Sequence, residues 1–155
     1  MSSQCTAVQG VIIWSRKTLQ DFNNDADDGQ LVGMSFTKKR NDTHLRLTWN
    51  SAMRQHLASK CSQWYFRIAG NDCNDPAPIN GVVYTSVKNN YWNNAHRHGT
   101  IIGVCRGTLT GALLTGDHQI AINVGNCPNH HGGDTASGWD STTTTMIKEK
   151  LCPSN

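Results

Sequence analysis

The chain has 155 residues, enough for one domain that buries roughly 70% of its unfolded surface in a single core. Apolar residues make up 37%, charged residues only 16%, and the net charge of +3 comes from 14 dispersed Lys and Arg, which excludes a disordered tail and a basic stripe for nucleic acid. The longest apolar run near the start, residues 11–14, is far short of a leader core or a membrane span, so no membrane insertion is expected.

Taken in chain order, strand-like segments rich in β-branched and aromatic residues occupy 11–15 and 31–37. Between them, Asp21, Asn23 and Asp25 have the spacing of a calcium loop. Ala26 stands where the sharp turn needs glycine and no glutamate closes the site, so the stretch reads as a polar loop. Lys38-Lys39-Arg40 reads as a solvated strand end. The sequon Asn41-Asp42-Thr43 fits a secretory route. In 44–49, Leu45, Leu47 and Trp49 alternate with polar residues. Trp64, Phe66 and Ile68 do the same, as do Ile120, Ile122 and Val124, so each segment has one core face and one solvent face. Strands are also expected at 81–87, 100–105 and 142–151, with turns at 24–29, 70–78, 89–99, 107–117 and 128–138. No window carries a helical stripe. Eight to ten short antiparallel strands at this spacing predict an all-β sandwich or jelly roll, a single domain over 1–155.

Six cysteines, at 5, 61, 73, 105, 127 and 152, contain no CxxC pair, which points to disulfides rather than zinc. Six cysteines allow 15 pairings. Cys61 and Cys73 bracket one strand and its turn, while Cys105 and Cys127 end two neighbouring strands. The preferred pairing is therefore Cys61–Cys73, Cys105–Cys127 and, joining the chain ends, Cys5–Cys152.

Several ordered pieces resemble the C-terminal globular domain of the collagen triple helix repeat-containing family. They are Leu45-Arg46-Leu47, Cys61-Ser62-Gln63-Trp64-Tyr65-Phe66, the stretch from Cys73 through Pro76-Ala77-Pro78-Ile79, His96-Arg97, Gly103-Val104-Cys105-Arg106-Gly107, Val124-Gly125-Asn126-Cys127, and Gly133-Asp134-Thr135-Ala136-Ser137-Gly138-Trp139-Asp140, spanning about 31–151. The resemblance implies a C1q-like jelly-roll head that assembles as a homotrimer, is secreted, and has no catalytic residues to carry over. The chain departs from that pattern in having no collagen-like repeat and in carrying Cys5 and Cys152. A free-standing oligomeric head points to a lectin for glycans or glycoproteins, since several weak sugar sites on one rigid assembly give useful avidity. The alternative is a non-catalytic, protein-binding head in extracellular matrix or receptor signalling.

Two segments are candidate ligand sites. The first holds Asn89, Tyr91, Trp92, Asn93, His96, Arg97 and His98: rings stack on the C–H face of a pyranose, and amides pair with hydroxyl or N-acetyl groups, which favours N-acetylated sugars such as N-acetylglucosamine. Its bland reading is a turn whose aromatics cover a core edge or a subunit contact. The second holds His130, His131, Asp134 and Trp139. Gly138 and Trp139 lie in the part that matches the family pattern, which favours a structural role, whereas His130 and His131 depart from it. His96 and His98 share one strand face, but a metal would need His118 or Asp117 as a third ligand, so none is expected and the histidines read as exposed or interfacial. No serine-hydrolase elbow, zinc-protease pair or phosphate loop is present, and neither enzyme activity nor a cofactor is expected.

Overall fold

The structure, a computed structural model, describes residues 10–85 and 95–151, without the side chains of 95 and 96. Among the described residues there are strands and no helix: β1 (Val11–Asn24), β2 (Gly29–Lys38), β3 (Leu45–Gln55), β4 (Cys61–Ile68), β5 (Asn71–Asp75), β6 (Asn80–Tyr84), β7 (Ala95–Cys105), β8 (Gly107–Thr108), β9 (Gly111–Ala112), β10 (Gly116–Asn126) and β11 (Thr135–Leu151). One sheet has the order β1-β11-β3-β7. The other runs β2-β10-β4-β5-β8-β9, with β6 also pairing with β4. All pairings are antiparallel, and the long strands alternate between the sheets as in a jelly-roll sandwich.

The alternation read from the sequence places the core. Leu45, Leu47 and Trp49 of β3 are fully buried and face Trp64, Phe66 and Ile68 of β4 and Ile120, Ile122 and Val124 of β10 across the layers. Burying each such side chain contributes about 1.5–3 kcal/mol. Trp64 Nε1 donates to Ser137 Oγ of β11 (2.8 Å), so a polar atom crosses between sheets without being left unpaired. Trp49 is met edge-on by Phe22 at 6.3 Å.

Three expectations change. Cys61 pairs with Cys127, and Cys73 with Cys105, at Cα separations of 5.4 and 5.8 Å, in place of Cys61–Cys73 and Cys105–Cys127. The reason is register. β5 folds back on the end of β4, with Arg67 opposite Asp72, so Cys73 lies near Phe66 and Cys61 lies five residues further along, roughly 16 Å away. At that end β10 sets Asn126 against Ser62, and Cys127 N bonds Cys61 O at 3.1 Å. The proposed Cys5–Cys152 bridge lies outside the described residues.

Lys38, read as a solvated strand end, is 1% exposed and faces a fully buried Glu149, Nζ to Oε1 at 3.8 Å. The carboxylate also accepts Lys39 N (2.8 Å), Arg40 N (3.1 Å) and the Thr43 hydroxyl, which fastens the β2–β3 turn to β11. Burial lowers the Lys38 pKa, opposed by Glu149 and then Asp42. Finally, the expected turns hold strands: β5 lies within 70–78, β8 and β9 lie within 107–117, β7 starts at Ala95 inside 89–99, and β11 starts at Thr135 inside 128–138.

Candidate functional site

The early start of β11 creates the site. Ser137 pairs with Met53 of β3, and the next pairing is Thr144 with Asn50, so six residues of β11 span a gap that two residues bridge on β3. The excess is pushed out of the sheet. Gly138, Trp139 and Asp140 take successive left-handed conformations, at φ of 95°, 41° and 53°. Only the first is a residue that adopts such a backbone without cost. A Cβ on Gly138 would lie 2.1 Å from Phe22 O, so β1 packs directly against the bulge, and the Ser141 hydroxyl donates to Gly138 O. Strain of this kind persists only where surrounding contacts hold it.

The bulge sets the Trp139 ring over Arg54, with the guanidinium carbon 3.9 Å from the ring centroid. Arg54 is 8% exposed, whereas Trp139 is 49% exposed. Among the described residues Arg54 Nε has no hydrogen-bond partner, and burial lowers the pKa of the group, against the opposing pull of Asp25 and Asp134. The cation thus lies under an indole face within electrostatic reach of two carboxylates, an arrangement worth most when desolvated.

The preceding loop is fixed through its backbone. Gln55 Oε1 accepts Asp134 N (3.1 Å) and Leu57 N (2.9 Å), His56 N donates to Asp134 O (2.8 Å), and Asp27 Oδ1 accepts Thr135 N (2.7 Å). Asn126 Oδ1 accepts Gly133 N. These bonds leave the carboxylate of Asp134 exposed at the rim.

The sequence-predicted residues do not converge on one place. Trp139 lies over Arg54, whose charge feels Asp134 and Asp25, and neither Arg54 nor Asp25 was singled out by the sequence as a site residue. His130 packs instead against Tyr84 of β6, 5.8 Å between ring centroids, and His131 is exposed in the same loop. His98 is exposed on β7 and bonds Asn50 Oδ1 through Nε2 (3.0 Å), next to an exposed Arg97. β7 sets the backbone of His96 opposite Arg54. Asn89, Tyr91, Trp92 and Asn93 lie outside the described residues. The third metal ligands considered, His118 and Asp117, sit on β10 in the other sheet, bonded to Leu114 O and to the Thr37 hydroxyl, so they do not meet His98. Among the described residues no group of three metal-ligating side chains occurs. The signal for Arg54 was the period-two pattern running on through Ser51, Met53 and Gln55, which extends β3 to the site.

A family model described as CTHRC1, C-terminal domain, matches residues 12–147, which covers the whole of the bulge, the loop before it and both described disulfides.

Proposed function

We propose, from the premise that the chain belongs to the CTHRC1 C-terminal domain family, that it is a secreted, oligomeric carbohydrate-binding head whose sugar stacks on Trp139. The observation that carries this reading is the indole itself: half exposed, held in place by a strained backbone, and backed by a buried cation. Such a ring meets the C–H face of a pyranose with little loss of side-chain freedom on binding. The exposed carboxylates of Asp134 and Asp25 supply acceptors for sugar hydroxyls at its edge. An N-acetylated sugar is the first choice, because Asn89 and Asn93 precede β7, whose His96 pairs with Arg54 in the register.

Two disulfides suit an oxidising, extracellular setting. Self-association is assigned to the outer face of the first sheet, where Trp14 and Ile102 are 58% and 52% exposed and Met146 shares a row with Ile102 through Thr48. This patch is at the opposite end of β3 from Arg54, so a trimer built on it leaves Trp139 accessible. A mass near 51 kDa, three times the 17.1 kDa chain, is the expected result, and a monomer at micromolar concentration would count against it.

The test of ligand class is haemagglutination. A simple N-acetylated sugar should abolish it, and Trp139→Ala should weaken it while remaining folded. An agglutination that no sugar inhibits refutes the reading. A second reading, a protein-binding head, is favoured by the exposed trio Leu57, Val82 and Tyr84 around β6, and it predicts cell-surface binding that survives deglycosylation.

A further inference from the structure

The outer face of the second sheet is the opposite side of the sandwich from Trp139, and it carries a recess of about 270 Å³. Its polar lining is Gln63, Tyr65 and Arg67 of β4, Asp72 of β5 and Asn80 of β6, with Pro78 and Pro128 as its rigid margins. We infer that this recess is a second binding site, independent of Trp139, that takes one neutral pyranose residue of a glycan.

The chemistry of the lining selects the ligand class. Arg67 Nε donates to Asp72 Oδ1 at 2.9 Å, so the one cation and one anion of the recess are paired. Neither a free acid nor a free amine finds an uncompensated charge there. A ligand with many hydroxyls and no charge fits that pairing, because it presents donors to Asp72 and acceptors to Arg67 at once. Gln63 spends its amide on Asn126 O (3.1 Å) and receives Asn80 Nδ2 at 3.4 Å, which orients Asn80 with its carbonyl still an acceptor.

Tyr65 is fixed as the ring of the site. Arg67 lies 5.2 Å from its centroid, and its hydroxyl reaches over Gly125, where a Cβ would sit 3.6 Å from the phenol oxygen and 3.2 Å from Asp28 Oδ1. Burial first, with Asp28 and Asp72 contributing, raises the phenol pKa, so it remains an O–H donor.

The recess is smaller than the roughly 300 Å³ at which drug-sized sites begin, which suits one ring rather than an extended chain.

The test is an amide NMR titration of the ¹⁵N-labelled full chain with the methyl β-glycosides of glucose, galactose, mannose and N-acetylglucosamine. At least one should shift Gln63, Tyr65, Asp72 and Asn80, and Asn80→Ala or Arg67→Ala should weaken that binding about tenfold with the melting temperature kept, both side chains being at the surface. Shifts confined to the Trp139 indole overturn this inference and uphold the Trp139 reading. Shifts confined to β4, β5 and β6 do the reverse, and no shift with any of the four overturns both.

Discussion

Gly138→Ala is the perturbation that most directly probes how the bulge of β11 is held. An L-residue in the left-handed region costs about 1–2 kcal/mol. The new methyl would also stand 2.1 Å from Phe22 O and 2.5 Å from the Phe22 ring, and these are β1 atoms that cannot turn aside as a flexible side-chain tip does. Opening that contact costs a further 1–3 kcal/mol or so, the usual range for overpacking. With about 3 kcal/mol in total, and about 2–4 °C per kcal/mol for a domain of this size, the melting temperature should fall by about 6–12 °C. The Trp139 ring should lose its seat on Arg54, which calorimetry and indole fluorescence read separately. Asp140→Gly, two positions on, removes strain without adding atoms and should move the melting temperature by no more than about 2 °C. If Gly138→Ala melts with the wild type, or if the two variants are equally damaging, the strained bulge packed on β1 is wrong.

Glu149→Leu leaves Lys38, two backbone amides and a hydroxyl without their acceptor, so it should cost about 3–5 kcal/mol by denaturant melting. Lys38→Met leaves the carboxylate its other donors and should cost about half as much; the reverse order would refute the account of that network. The Arg40 guanidinium beside Asp42 holds its carboxyl at about 2 instead of 3.8, so the stabilising effect of that pair is complete above pH 3.8 and lost as the pH falls toward 2. Carboxyl NMR of Arg40→Gln should find Asp42 titrating back near its ordinary value. Non-reducing peptide mapping should recover the Cys61–Cys127 and Cys73–Cys105 pairs, each worth about 4 kcal/mol from the loop it closes, and finding Cys61–Cys73 instead would contradict the β4–β10 register.

What could be read from the sequence was whatever is local. Alternation alone put Leu47, Trp64 and Ile122 in the core, because a pleated strand sends every second side chain the same way. The lettering around 133–140 was enough to mark a family segment. What stayed hidden depends on partners distant in the chain. Lys38 looks like a surface charge until β11 delivers Glu149 beside it, and Cys61 looks paired to Cys73 until β10 arrives at its shoulder. Arg54 is an unremarkable charge on an outward face until the bulge lays Trp139 over it, and the bulge itself shows only as a register break between two long strands. The histidines drew attention by their chemistry and their departure from the family pattern. In the fold His130 goes to Tyr84 and His98 to Asn50, away from the indole.

The most direct measurement of the central claim is a glycan array probed side by side with the purified protein and its Trp139→Ala form. Saturable binding to a restricted set of glycans, part of which goes with the indole while the melting temperature holds, is the predicted result. A blank array at high protein concentration, or identical binding by the two proteins, would contradict a carbohydrate site at Trp139.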